Sequence, residues 1–143
     1  MYVYMHTIYY IHIIALKNYY TYMYFLLNAA EISKEAEGSI RLLGGSGSHE
    51  GLVEMYLLGQ WATVCSRYTW DISDAEVVCQ QLGYSGAVAA PRGSIFNVET
   101  QRRPYGVYNI QCSGYEVNIT YCEKDFSYRC SQNFAGVICS PAC

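Results

Sequence analysis

Apolar and polar positions change period as the chain enters its middle third. Ser39–Leu43 alternates, and so does Leu52–Leu57, where Leu52, Glu54 and Tyr56 interleave with Val53, Met55 and Leu57. Period-two alternation of this kind predicts strands with one buried face. Between them Gly44–Gly51 (GGSGSHEG) is a glycine and serine turn; without Gly-Lys-Ser/Thr or a following helix it is not a phosphate cradle. Gly59-Gln60 connects tightly into a third strand, Gln60–Val64, which carries the β-prone Trp61 and Val64. The period then lengthens: Ala75, Val78, Cys79 and Leu82 fall at i, i+3, i+4 and i+7, one apolar face of a helix. Ser73 with Glu76 three residues on reads as its capping box, and Gly83 supplies the permissive backbone that ends it. After Tyr84 periodicity is lost. Ser85–Ala90 is small and apolar, Pro91–Pro104 has loop composition, and Val107–Cys112 and Ala135–Cys139 read as strands. Three strands followed by a helix, joined by short turns, predict an α+β domain with the helix laid on a sheet.

The cysteines change that picture from a plain α+β core to a stapled one. All seven lie between positions 65 and 143 of the 143-residue chain, a density that points to export, where structural disulfides persist. Zinc needs close clusters such as C-x2-C, and none occurs; His6 and His12 lie outside the cysteine region and carry no functional weight. The formal net charge of −3 gives no argument for nucleic acid or an anionic membrane as partner. Asn118-Ile119-Thr120 is a glycosylation sequon.

Residues 1–30 differ from the rest: Tyr-rich and apolar, with Lys17 the only Lys, Arg, Asp or Glu before Glu31. Three readings stand. A secretory signal would use Met1–Asn18 as n-region, Tyr19–Leu27 as apolar run and Asn28-Ala29-Ala30 as cleavage neighbourhood. A membrane anchor would use Tyr2–Leu27, against the cost of buried tyrosine hydroxyls and a mid-span lysine. The third is a stray start with no role. The polar, mixed-charge residues 31–38 read as a linker, 39–140 as the domain, and 141–143 as a C-terminal tail.

With these elements in order, residues from about Ile40 to Ser140 resemble a scavenger receptor cysteine-rich domain of the six-cysteine, group A-like type. The resemblance is carried by IRLLGGSGSHEGLVEMYLLGQWATVC, WDISDAEVVCQQLGY, IQCSGYE and AGVIC. It implies a small domain in which a twisted antiparallel sheet cradles one main helix. Six cysteines permit fifteen pairings; the resemblance implies Cys65–Cys130, Cys79–Cys139 and Cys112–Cys122. The extra pair of eight-cysteine members falls here on His49 and Tyr84, so both partners are absent together. Cys143 is left over: an intermolecular bond, a free thiol, or a chain that continued into another repeat.

No catalytic set emerges. His49 lies in a glycine turn beside Glu50, where a histidine is ordinarily solvated. The resemblance implies recognition of proteins, polyanions or microbial surfaces, secreted or on a single-pass membrane protein. Membrane contact would come only through the N-terminal segment, if retained. The alternatives are a membrane-anchored receptor fragment and a structural repeat of a larger tandem protein. Many members hold calcium through an Asp-Asp pair after the first cysteine. Here Ser66-Arg67-Tyr68-Thr69 follows Cys65, leaving Asp71, Asp74 and Asn133 as the remaining oxygen candidates; a second acidic pair is replaced by Tyr108-Asn109. Calcium wants six to eight oxygens, so weak or no binding is expected. Val53-Glu54-Met55-Tyr56 with Trp61 has the spacing of a segment linked in relatives to bacterial adhesion, but Leu52 and Leu58 stand where arginines flank it there; an ordinary core strand is the other reading. Arg67, Arg92, Arg102 and Arg103 are the cationic candidates for sulfate or phosphate, against scattered solvated arginines.

Overall fold

The computed structural model describes residues 11–24, 35–93, 95, 96, 98, 106–127, 130 and 133–141. The chain divides into two compact units, Met1–Glu35 and Ala36–Cys143. In the first, residues 11–24 form a helix, α1, along which Thr21 Oγ1 donates to the Lys17 carbonyl. Among the described residues no helix is long and apolar enough to cross a membrane. The signal and anchor readings of residues 1–30 fall mostly on positions outside the described residues.

The second unit is built on β2 (Glu50–Leu57) and β3 (Gln60–Val64). They pair antiparallel around the turn at Leu58-Gly59, where both residues take positive φ, 51° and 79°. A two-residue hairpin turn of that hand matches strand twist, and Gly59 adopts it freely while Leu58 does so at a cost. β1 (Ile40–Gly44) pairs with β2 on one side; β3 and β7 (Gly136–Ser140) share the other. The full strand order is β4-β7-β2-β3-β5-β6, with β4 at Gly86–Ala89, β5 at Gly106–Gln111 and β6 at Glu123–Ser127. All pairings are antiparallel except β3 with β5, which is parallel over Thr63–Val64. Sheet, single main helix and disulfides thus make the α+β domain that the hydrophobic pattern predicts.

The helix α2 spans Ile72–Gln81, and its start corrects the sequence reading. The N-cap is Asp71, not Ser73, and the reciprocal partner is Asp74, not Glu76. Asp71 Oδ1 accepts from the Ser73 amide at 2.8 Å, and Asp74 Oδ2 accepts from the Asp71 amide at 2.8 Å. Glu76 is drawn elsewhere: its Oε2 accepts from the Ala87 amide of β4 at 2.7 Å, and its Oε1 from Gln80. Ala75, Val78 and Cys79 face the core as expected, joined by Val77 and, on the preceding loop, Trp70, whose indole N–H donates to the Gly136 carbonyl at 3.1 Å. They pack with Val53, Met55, Leu57, Val64, Val107, Ile110, Ile119 and Val137 in one cluster.

Three further expectations change. β2 is buried on both faces rather than one, because Leu52, Glu54 and Tyr56 are covered as fully as Val53, Met55 and Leu57. Arg41 from β1 lies across that second face, ion-paired to Glu54 and 4.1 Å over the Trp61 ring, which meets Tyr56 edge-on at 5.3 Å. β4 and β6 occupy stretches without apolar periodicity. The end of the linker stretch is docked: Gly38 donates to the Tyr56 carbonyl, and the Glu37 carboxylate accepts from the Leu58 amide at 2.9 Å.

Candidate functional site

Three disulfides tie the domain: Cys65–Cys130 and Cys79–Cys139 join residues 65 and 60 positions apart, and Cys112–Cys122 closes a loop of separation 10. The first links the end of β3 to the chain after β6, the second links α2 to β7, and both reach the buried interior. The third leaves its loop on the surface. Cys112, Glu116 and Cys122 come within ligand distance of one another, but the two sulfurs are bonded to each other and so are not thiolate ligands.

Asp74 joins α2 to that loop. Its side chain is buried, with Oδ1 accepting from the Cys112 amide at 2.8 Å while Oδ2 closes the helix cap. Burial pushes its carboxyl up to about 6, against the opposing pull of the Cys112 and Asp71 amides. Within the loop Glu116 folds back: its carboxylate accepts from the Ser113 amide (2.8 Å), the Ser113 hydroxyl (2.8 Å) and the Gly114 amide (3.1 Å). Those donors, the Ser113 amide first, hold it down at about 2, so it is ionised throughout the physiological range. The chain turns at Gly114 with φ 96°, a backbone state that a glycine takes without steric cost. The result is a tied loop in which Ile119 turns into the core while Tyr115, 91 % exposed, and Val117, 80 % exposed, point outward. Between it and the helix lies a cleft of about 420 Å³ lined by Ile72, Ser73, Glu76, Gln80, Ser113 and Tyr115. The sequence reading assigned this loop a glycosylation sequon at Asn118 and no binding role; the available signal was two aromatics and a glycine between Cys112 and Cys122.

The calcium candidates do not form a cation cradle. Asp71 and Asp74 direct carboxylate oxygens to backbone amides at the helix start, and Asn133 is engaged through its carbonyl by the Ser66 amide. Exposed Arg67 stands in the place of an acidic ligand, its guanidinium 5.1 Å over the Tyr68 ring. Where the second acidic pair would be, Asn109 donates to Asp125 at 2.9 Å. Arg92 is exposed, next to β7, while Arg102, Arg103 and Cys143 lie outside the described residues. Arg67 and Arg92 each neighbour a residue whose amide donates to the 133–135 segment, Ser66 to Asn133 and Gly93 to Phe134. His49 lies 3.9 Å from Glu50, whose carboxylate also accepts from Ser46. Val53–Tyr56 is buried throughout, which makes it core strand and removes it from any adhesive surface. At the position of the missing fourth disulfide, the Tyr84 hydroxyl donates to Ser48 at 3.2 Å, and His49 engages β7 through its carbonyl. Asn118 is half-buried, its Oδ1 accepting from the Thr120 amide and hydroxyl at 2.9 and 2.7 Å.

Compared with known proteins, residues 43–140 match the family profile described as "Scavenger receptor cysteine-rich domain". The chain is similar to galectin-3-binding protein of Mesocricetus auratus, 37 % identical over 107 residues, 73 % of this chain. It is 40 % identical over 85 residues, 59 % of its length, to macrophage scavenger receptor types I and II of Mus musculus. It spans only 18 % of the length of each of these relatives. Among solved structures, the third SRCR domain of murine neurotrypsin superposes with a TM-score of 0.59 at 34 % identity, covering 71 % of this chain and 94 % of that one.

Proposed function

Since the chain belongs to the scavenger receptor cysteine-rich family, we propose that it is an extracellular or cell-surface recognition module. It binds protein, polyanionic or microbial-surface ligands by surface contact and catalyses no reaction. Domains of this family are non-catalytic ligand-binding modules. The observation that carries the reading is the triple disulfide staple closing the stretch that matches the family. Such bonds persist in oxidising compartments. The relatives' names, a galectin-3-binding protein and a macrophage scavenger receptor, support a protein or scavenged ligand.

In this reading residues 1–30 are a signal, an anchor or a stray start with no role, 31–38 a linker, 39–140 the domain itself and 141–143 its tail. Arg67, Arg92, Arg102 and Arg103 are the anion contacts, and Asn118 carries a glycan. Calcium binding is weak or absent in this reading, because Asp71 and Asp74 already close the helix cap.

The full chain expressed in mammalian cells tests this. It should reach the medium or the cell surface with its cysteines oxidised, be retained on dextran sulfate, and lose retention on substitution of Arg67 and Arg92 by Glu. A chain that stays inside the cell in reduced form would overturn the reading.

A further inference from the structure

The cleft beside the disulfide loop has a chemistry opposite to that of the arginine-bearing loops. The two segments that wall it, residues 72–80 and 113–116, contain Asp74, Glu76 and Glu116 and no Lys or Arg; Lys124 is engaged at the other end of the loop, donating to the Thr120 and Cys122 carbonyls. Of these, Glu76 lines the cleft directly, and Glu116 is hydrogen-bonded to Ser113 and Gly114, which also line it. The rim is aromatic and apolar: Tyr115 stands almost entirely in solvent and Ile72 is 50 % exposed. An exposed ring beside carboxylates attracts ammonium and guanidinium groups through the π face as well as through charge. A polyanion would be repelled here.

The walls are also fixed before any ligand arrives. Cys112–Cys122 closes the loop, Asp74 holds the Cys112 amide from the helix side, and Glu116 binds the Ser113-Gly114 corner. A surface ordered in advance loses little entropy on association.

We propose that this cleft, between the first turns of α2 and the Ser113–Tyr115 corner, receives an extended lysine- or arginine-bearing segment of a protein partner. Tyr115 stacks on the cationic side chain, and Glu76 and Glu116 supply the countercharge. The proposal names a partner class for one face of the recognition module and rests on that reading.

The test uses the full secreted chain and fluorescein-labelled ten-residue peptides of alternating Arg-Ala and Glu-Ala, with fluorescence anisotropy at low salt and dextran sulfate retention in parallel. Tyr115→Ala leaves the core untouched, and Glu76→Gln keeps an acceptor for the Ala87 amide while removing the charge. The Arg-Ala peptide should bind and the Glu-Ala peptide should not. Each substitution should weaken binding several-fold and the pair roughly tenfold, with dextran sulfate retention unchanged. No binding of the Arg-Ala peptide, equal binding of both peptides, or affinity unaffected by either substitution would overturn the proposal. So would self-association of the chain that Tyr115→Ala abolishes, since a second copy would then be the occupant. Retention on dextran sulfate in those cases would leave the broader recognition reading standing.

Discussion

Two regions of this domain are held by the same bond used for different ends. Around the helix, Cys65–Cys130 and Cys79–Cys139 tie elements 65 and 60 residues apart that already share one apolar cluster. Around the loop, Cys112–Cys122 spans 10 residues; Ile119 anchors that loop in the core, while Tyr115, Val117 and Tyr121 face water. A long closure removes much freedom from the unfolded chain, about 4 kcal/mol in the chain-entropy model. A short one removes less, about 3 kcal/mol on the same formula, and its visible effect is local shape. The difference teaches that the long bonds hold the fold, and the short bond, with Asp74 and Glu116, holds the form of one surface.

Breaking each bond separates the two roles. Cys79→Ser should abolish secretion of folded protein; normal secretion with intact protease resistance would put the helix staple among the dispensable bonds. The double substitution Cys112→Ala with Cys122→Ala should lower stability less and leave the core protected. Hydrogen exchange should show the new opening at the Cys112, Ser113 and Gly114 amides; uniform loss of protection through β2 and α2 would erase the distinction.

Asp74 sits where the two regions meet, and its titration sharpens the comparison. The folded-state pKa of about 6 lies above the ordinary aspartate value of 3.8, so the native state holds this proton more tightly than the unfolded chain does. Stability from this group therefore falls as pH rises from about 4 to about 6 and is regained on acidification. Glu116 has the opposite sign: its contribution is complete above its ordinary pKa and is lost progressively as pH falls from about 4.5 to about 2, mostly below the Asp74 window. In thermal melts Asp74→Asn should lack the gain in Tm that the unmodified chain shows between pH 6.5 and 5. Parallel pH profiles for the two proteins would remove Asp74 as the link.

The smallest effect is expected at the hairpin tip. Leu58 holds φ 51° while 86 % exposed, so Leu58→Gly relieves backbone strain without touching the core. Net of the freedom glycine adds to the unfolded chain, a gain of up to ~1 kcal/mol is expected, read as a rise of a few degrees in Tm. A fall in Tm would mean that the Leu58 side chain contributes packing at the tip.

How much was legible in the sequence follows from what each element is made of. β2, β3, α2 and β7 announce themselves because Val53, Met55, Val64, Val78 and Val137 repeat at the right spacing and are buried for that reason, with Trp61 half-buried beside them. β4, with only small side chains in GAVA, and β6, with EKDF at its start, hide because their pairing is set by neighbouring strands rather than by an apolar face. The cap was misplaced by two residues because two overlapping boxes fit the local rule. The choice between them depended on Ala87, far along the chain, taking Glu76 as its partner. The surface cleft was illegible for a related reason: Glu116 and Tyr115 acquire their roles only once the loop folds against α2.

Glu76 also guards the sheet's margin. β4 is its terminal strand, and the amide of Ala87, which points away from β7, is occupied by a carboxylate reaching over from α2. An outermost strand with vacant donors is an invitation for a foreign chain to zip alongside. Here, at Ala87, that invitation is withdrawn by the molecule itself.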